Sequence, residues 1–194
     1  MLNSKKNRLI VAITGASGAI YGIKALESLQ GLEVESHLVL SKSAERTILH
    51  ETSYKVADVK ALADVVYPQA DIGAAIASGS FKTMGMLVAP CSVKTMGEIA
   101  ACITQNLVSR AADVVLKERR KLVLLLRETP LHAGHIRLMA DVTQSGAIVM
   151  PPVPAFYTNP QTIDDMVTDT VTRALDLFDI EVPAIKRWDG KQAQ

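Results

Sequence analysis

The sequence predicts an α/β protein built on one open, parallel, doubly wound sheet, a Rossmann-like or flavodoxin-like three-layer sandwich. Residues 9–13 are five consecutive apolar residues, two of them isoleucine and one valine, which is typical of a strand buried on both faces. Small residues at Gly15, Ala16 and Gly18 follow, and a helical pattern begins behind them. Strand and helix patterns then alternate along the chain, which favours parallel strands joined by helical crossovers.

The remaining elements follow from the same patterns. Continuous apolar runs predict strands, and apolar residues recurring every three or four positions predict helices. Residues 61–66 fit a helix or a strand, and 71–77 fit a short strand or a turn. In chain order we predict a helix over 19–30, a strand over 34–40, a helix over 43–51, a strand over 85–89, a helix ending at 101, a helix over 106–117, a strand over 121–126, a helix over 132–145, a strand over 147–150 and a helix over 163–178 opened by a capping box of Thr162 and Asp165.

Length and composition limit the function classes. The 194 residues suit one domain over 1–194 that closes with a polar tail at 183–194. Hydrophobic residues make up 48% of the chain, yet no run approaches the ~18 apolar residues of a membrane span. The net charge of +1 does not indicate nucleic acid or an anionic membrane as the main partner, and we expect neither. With a polar start and only Cys91 and Cys102, we expect a reduced, cytoplasmic protein without a signal peptide.

Polar and charged side chains follow the predicted strands where each strand ends. Ligands of open parallel sheets bind outside these carboxyl ends, so we expect a site there; the alternative is a tight turn at 14–17 with nothing bound. The strand ends carry residues 14–17, Ser41 and Lys42, residues 90–92, Arg127 and Glu128, and the Pro-rich loop with Tyr157.

Two clusters at this edge are suited to anions. Hydroxyls and backbone N–H groups of residues 92–95 can hold one phosphate at a helix N-terminus. Arg127, with Lys117 and Arg110 of the preceding helix, can hold another through charge-assisted hydrogen bonds. Glu128 stands beside these cations and is placed for proton transfer. The pattern indicates a phosphate-bearing cofactor that meets a phosphate-bearing substrate.

Other candidate features have structural explanations. Arg119 and Arg120 belong to a charged run that predicts a solvated helix end. Cys91 fits a small packed residue better than a nucleophile, because no catalytic-triad spacing surrounds it. His132 and His135 lack the Cys or acid cluster that would complete a metal site, so we expect no metal.

Six fragments in a fixed order resemble the UbiX-type flavin prenyltransferase family, formerly classed as aromatic acid decarboxylases. Each fragment alone is weak, but the ordered set is specific, and the resemblance extends from Leu9 to Trp188. The fragments are TGASGA at 14–19, SGSF at 78–81, APCS at 89–92, RAADVVLKER at 110–119, RETP at 127–130 and PAFY at 154–157.

The resemblance implies an activity and partners. Members bind FMN and dimethylallyl phosphate, and join the prenyl group to flavin N5 and C6 without a metal. The product is the prenylated flavin that UbiD-type decarboxylases use. The resemblance also implies a homododecamer with active sites at subunit boundaries. The older family name motivates an alternative, a non-catalytic FMN-binding accessory subunit of an aromatic acid decarboxylase.

The resemblance also implies site residues. Ser17, Glu51 and Glu128 are the expected catalytic residues, with Ser17 near flavin N5. The expected prenyl-phosphate residues are Arg110, Lys117, Tyr157 and Arg173. The expected FMN-binding residues are Gly15, Ala16, Ser17, Ser41, Ser92, Val93, Lys94, Thr95 and Arg127.

Two other enzyme classes fit the sequence less well. A dehydrogenase of this architecture would commonly carry Asp or Glu after the second strand; Lys42 weakens an NAD site but leaves NADP open. No tyrosine has a lysine four residues later, which excludes the short-chain dehydrogenase pair. Flavin-dependent cysteine decarboxylases carry a Pro-x-Met-Asn loop, whereas the corresponding loop reads PVPAFY at 152–157.

Overall fold

The computed structural model describes residues 7–183, which form a six-stranded sheet with helices on both faces. All neighbouring strands pair in parallel, in the order β3-β2-β1-β4-β5-β6. This confirms the predicted α/β, doubly wound class. The strands are β1 Asn7–Ile13, β2 Val34–Leu40, β3 Val65–Tyr67, β4 Gly85–Cys91, β5 Lys121–Leu126 and β6 Ile148–Val149.

The helices lie between the strands as the crossover pattern requires. The capping box of Thr162 and Asp165 opens the last helix, as the sequence predicts. Short 3-10 turns cover Ala75–Ala77 and Phe156–Thr158. The helices are α1 Ala19–Leu29, α2 Lys42–Glu51, α3 Val56–Ala61, α4 Val93–Ala100, α5 Leu107–Lys117, α6 Ala133–Gln144 and α7 Ile163–Asp176.

The sheet separates two hydrophobic cores, which gives the three-layer sandwich. Successive side chains of a strand point to opposite faces, so β1 contributes to both cores. Leu9, Val11 and Ile13 pack in the core that includes buried residues of α1 and α7. Ile10 and Ala12 pack in the core that includes residues of α4 and α5. The apolar run at 9–13 is therefore buried on both faces, as predicted.

Two details differ from the sequence prediction. The sheet has a sixth strand, β3, of only three residues, where the sequence left residues 61–66 open between a helix and a strand. Strand β4 continues through Pro90 to Cys91, where the prediction ended it at residue 89. The pairing of β4 with β5 shifts register between Val88 and Cys91, so the proline, which has no N–H to donate, stands where the ladder is interrupted.

The strand order fixes where a ligand crevice can form. Crossovers run one way from β1 to β2 and the other way to β4, so the order reverses between β1 and β4. In open parallel sheets this reversal opens a crevice at the carboxyl edge. Among the described residues, no helix has the length and apolarity that crossing a bilayer requires. The polar tail predicted at 183–194 lies outside the described residues except for Pro183.

Candidate functional site

Hydrogen bonds tie the carboxyl ends of three neighbouring strands together. The Ser41 N–H donates to Ile13 O at 3.1 Å, which joins the ends of β2 and β1. Thr14 Oγ1 donates to Pro90 O at 2.8 Å and accepts from the Ser92 N–H at 2.8 Å, which joins the ends of β1 and β4. The turn that follows Thr14 is thereby held between Ser41 and Ser92.

Helices α2 and α4 both begin at this edge with a serine cap. Ser41 Oγ accepts from the Ala44 N–H at 3.0 Å, and Ser92 Oγ accepts from the Thr95 N–H at 3.3 Å. Each helix keeps other N–H groups of its first turn free of intrahelical acceptors, and its macrodipole favours negative charge there. The two capped turns therefore provide two helix N-termini, one on each side of β1, that can bind a phosphate.

The N-terminus of α1 already holds an anion that belongs to the chain. Glu51 Oε2, at the end of α2, accepts from the N–H groups of Gly18 at 2.7 Å and Ala19 at 3.3 Å. Gly18 has φ of +99° and no side chain, so α1 has no side-chain cap of its own at that position. The sequence predicts a preference for negative charge here, and the structure shows that Glu51 supplies it.

Gly15 allows the turn after β1 to lie against α2. A Cβ built at this position would overlap the side chain of Ser43. Only glycine fits without displacing the first turn of α2. Because of this close approach, the turn at Gly15–Ser17 lies beside the N-terminus of α2.

A cavity of about 740 Å³, the β1–β5 cavity, brings four of the predicted residues together. Ser17, Glu51, Arg127 and Glu128 line it, beside Tyr21. Burial raises the pKa of the Tyr21 phenol, and the positive charge of Arg127 partly offsets this shift. Its apolar and backbone walls come from Gly18, Ile20, Leu126, Pro151, Pro152, Val153, Ile163 and Val167.

A second cavity of about 690 Å³, the β2–α4 cavity, opens on the other side at the ends of β2 and β3. Lys42 and Lys94, each in the first turn of a helix, line it. Lys94 Nζ pairs with Glu98 at 3.3 Å, whereas no ion pair of the Lys42 ammonium occurs among residues 7–183. Lys42 is therefore a candidate phosphate-binding residue that the sequence analysis considered only for NADP.

Tyr157 and Arg173 line a third, small cavity of about 90 Å³, the loop–α7 cavity. Tyr157 lies in the 3-10 turn after the Pro-rich loop, and Arg173 lies in α7. Val153 borders both this cavity and the β1–β5 cavity, so the two adjoin. The structure thus places both predicted phosphate residues next to the cavity that holds the predicted acids.

Arg110 and Lys117, the other two predicted phosphate residues, lie elsewhere in this chain. Both are on α5, where Arg110 pairs with Asp113 at 2.9 Å and Lys117 Nζ lies 2.5 Å from Glu118 Oε1. Helix α5 ends near the start of β5, so Lys117 lies at the amino edge of the sheet. The length of β5, roughly 20 Å, separates this edge from Arg127. Neither Arg110 nor Lys117 is among the residues of this chain that line the β1–β5 cavity.

The charged run after α5 is only partly solvated. Arg119 is exposed, as predicted, but the prediction was wrong for Arg120, whose side chain is 11% exposed. Arg120 donates to Gly79 O at 2.6 Å and to Phe81 O at 2.8 Å. A run of like charges predicts solvation, and the sequence shows no sign that a loop 40 residues earlier supplies carbonyl acceptors for one of them.

The other reactive side chains have structural roles. Complete burial raises the pKa of the Cys91 thiol to about 12, so it is a packed thiol and not a nucleophile, as predicted. His132 Nδ1 accepts from the Gly134 N–H at 3.0 Å and caps α6. Its ring lies against that of His135, with the ring centroids 3.7 Å apart and the planes tilted by 33°. Over residues 7–183, no three His, Cys, Asp or Glu side chains cluster in a way that could hold a metal ion.

Comparisons with known proteins find relatives that match nearly the whole chain. The Flavoprotein family matches residues 2–175. The flavin prenyltransferase UbiX of Thauera aromatica is 55% identical over 185 residues, 95% of each chain. The crystal structure of AnUbiX (PadA1) in complex with FMN and dimethylallyl pyrophosphate is 50% identical, with a TM-score of 0.95 over 97% of this chain and 100% of that one. A dodecameric FMN-dependent UbiX-like decarboxylase from Escherichia coli O157:H7 is also 50% identical, with a TM-score of 0.92 over 94% and 100%.

Proposed function

The chain belongs to the UbiX flavin prenyltransferase family, and on this premise we propose that it joins the dimethylallyl group of dimethylallyl phosphate to N5 and C6 of reduced FMN. One observation carries the proposal: the β1–β5 cavity collects Ser17, Glu51, Arg127 and Glu128, and it adjoins the cavity of Tyr157 and Arg173. An acid–base site and a phosphate site are therefore neighbours in this chain.

The residues at the carboxyl edge fit FMN. Gly15, Ala16 and Ser17 form the turn between the two capped helices, and we assign the flavin ring to this turn. The capped turns at Ser41 and at Ser92, with Val93, Lys94 and Thr95, are assigned to the ribityl phosphate, to which Lys42 adds charge. Because Glu51 occupies the N-terminus of α1, a phosphate there would meet a carboxylate; this favours the turns of α2 and α4.

Reduced FMN supplies the nucleophilic N5 and C6, and the protein must control charge and protons around them. Breaking the allylic C–O bond releases phosphate, so positive charge must lie next to the phosphate. Arg173 supplies this charge, and the Tyr157 hydroxyl donates a hydrogen bond. The apolar walls of the β1–β5 cavity would limit the water that reaches the carbocation once both ligands fill the cavity. Glu128, with Ser17, moves the protons that the two new C–N and C–C bonds require, while Arg127 holds the flavin.

We propose that Arg110 and Lys117 reach the site of another copy. In one chain neither residue lines the β1–β5 cavity. Lys117 is the last residue of α5 and lies at the amino edge, whereas Arg110 lies near the start of α5 and pairs with Asp113. A dodecameric homologue at 50% identity shows that this fold can assemble. A prenylated flavin made here would serve a UbiD-type decarboxylase. We place the protein in the cytoplasm, since its two cysteines are unpaired.

The test is product formation. The wild-type protein is incubated anaerobically with reduced FMN and either dimethylallyl phosphate or the pyrophosphate, and the flavin is followed by absorbance and mass. A flavin carrying the added five-carbon group supports the enzyme, and the faster donor identifies the substrate. An unchanged flavin with FMN still bound would refute catalysis and favour the accessory subunit.

Glu128→Gln tests the acid–base assignment. The substitution keeps the size of the side chain and removes its proton transfer, so we expect FMN affinity to persist while the rate falls by ~10²–10⁴-fold. Glu33→Gln, an exposed glutamate before β2, is the matched control and should react like the wild type. An unchanged rate for Glu128→Gln would remove Glu128 from the mechanism.

A further inference from the structure

A hydrogen bond joins the Tyr157 turn to helix α7. Thr158 Oγ1 lies 2.5 Å from Asp169 Oδ2 and 2.9 Å from Ala155 O, and the Ala155 contact closes the turn on itself. Asp169 therefore connects the end of the Pro-rich loop to the middle of α7. Both partners line the loop–α7 cavity.

The same helix face carries Arg173. Residues four apart on an α-helix lie one above the other, so Asp169 and Arg173 project from the same side of α7. Arg173 Nη1 lies 2.5 Å from Asp176 Oδ2, which orients the guanidinium along the helix. Helix α7 thus holds the Tyr157 segment through Asp169, and Arg173, the cation that lines the same cavity, follows four residues later.

Neither phosphate residue is fixed by burial. The Tyr157 residue is 62% exposed, and the Arg173 side chain is 59% exposed. A long loop of prolines precedes the turn, so the distance between Tyr157 and Arg173 depends on what holds the turn to α7. The Thr158–Asp169 bond is a side-chain hydrogen bond that joins the turn directly to α7.

We propose that Thr158 and Asp169 are positioning residues that set the spacing of Tyr157 and Arg173 for the phosphate of the prenyl donor. The proposal rests on the function proposed above. Losing the bond keeps both phosphate ligands in the chain but loosens the link between the turn and α7, so the donor must order the turn more when it binds. Ordering one such segment weakens binding by about 3–10-fold.

Thr158→Val tests this with little change in size, because it exchanges the hydroxyl for a methyl group. We expect KM for the prenyl donor to rise by about 3–10-fold, with kcat at saturation and the Kd for FMN unchanged. The Ki of inorganic phosphate as a competitor should rise by the same factor. Thr158→Ser, which restores the hydroxyl, should return both values to wild type.

Controls separate positioning from folding. Thr143→Val removes an exposed hydroxyl that bonds only within α6 and should change none of these values. Asp169→Ala removes the other partner and should give the same KM as Thr158→Val. If one of the two variants does not fold, the other still tests the bond. Equal changes in KM, kcat and FMN affinity would indicate general damage and overturn the proposal.

Arg173→Met distinguishes this proposal from the function on which it rests. If Arg173→Met raises KM while Thr158→Val and Asp169→Ala leave it at the wild-type value, the positioning role is wrong and the phosphate site stands. If Arg173→Met also leaves KM unchanged, the phosphate site is wrong and the positioning role falls with it.

Discussion

Arg120→Met should destabilise the protein far more than the same change at Arg119. Arg120 pins the loop before β4 by donating to Gly79 O at 2.6 Å and Phe81 O at 2.8 Å, with a weak third contact to Thr83 Oγ1 at 3.4 Å. Methionine fills much of the same volume but donates no hydrogen bond. The two carbonyl groups would lose a charged donor.

The magnitude follows from the two short bonds. A hydrogen bond from a charged donor contributes about 1.5–3 kcal/mol when buried. Gly79 and Phe81 are only half-buried, so water replaces part of each bond and the lower end applies. The expected loss is about 2–3 kcal/mol for the pair. For a chain of this size this lowers Tm by roughly 4–12 °C.

The assay is thermal and urea unfolding at one protein concentration, because assembly would otherwise change Tm. Arg119→Met is the matched control: its side chain is exposed, and the change should stay within about 0.5 kcal/mol. Equal unfolding midpoints for the two variants would refute the structural role of Arg120.

Two further predictions concern the sheet. Burial lowers the pKa of His37, so below pH about 6.5 the unfolded chain binds a proton at this position more readily than the folded chain does. The free energy of unfolding should therefore fall as the pH drops from 7 to 5, and it should fall less in His37→Gln. Urea unfolding at each pH measures both. Gly22→Ala should lower the free energy of unfolding by about 1–3 kcal/mol, because a Cβ there would overlap Ala89 O on β4. Gly97→Ala, where the nearest neighbour of the Cβ is 3.7 Å away, should instead stabilise α4 by about 0.5–1 kcal/mol. Urea unfolding compares the two variants, and equal shifts of the midpoint would contradict the packing argument.

The parallel sheet explains why much of the site could be predicted from the sequence. The carboxyl ends of parallel strands meet at one edge, so Ser17, Arg127 and Glu128 were expected together although more than 100 residues separate the first from the others. The β1–β5 cavity confirms that they share one space. Their roles in binding and proton transfer stay predictions.

The same geometry shows what sequence reasoning overlooked. A crossover helix runs opposite to its strands, so the last turn of α5 must lie at the amino edge, and Lys117 cannot share an edge with Arg127 of the same chain. That conclusion needed only the order of the elements. By contrast, the contact of Glu51 with Gly18 and the burial of Arg120 depend on side chains meeting across the fold, which no local pattern indicates.

The charges of the β1–β5 cavity give an independent reason for a second chain. Glu51 and Glu128 are formally negative and Arg127 is positive, so the cavity carries a formal charge of −1 where two phosphate-bearing molecules are proposed to meet. Lys42 and Lys94 line the β2–α4 cavity instead, and Arg173, beside Asp176, lines the loop–α7 cavity. The departing phosphate would gain the charge that this site lacks if Arg110 and Lys117 approached from a neighbour, because cations in a water-poor site act most strongly at short range. Assembly would then bring Arg110 and Lys117 of one chain to the β1–β5 cavity of another, which they do not line within a single chain.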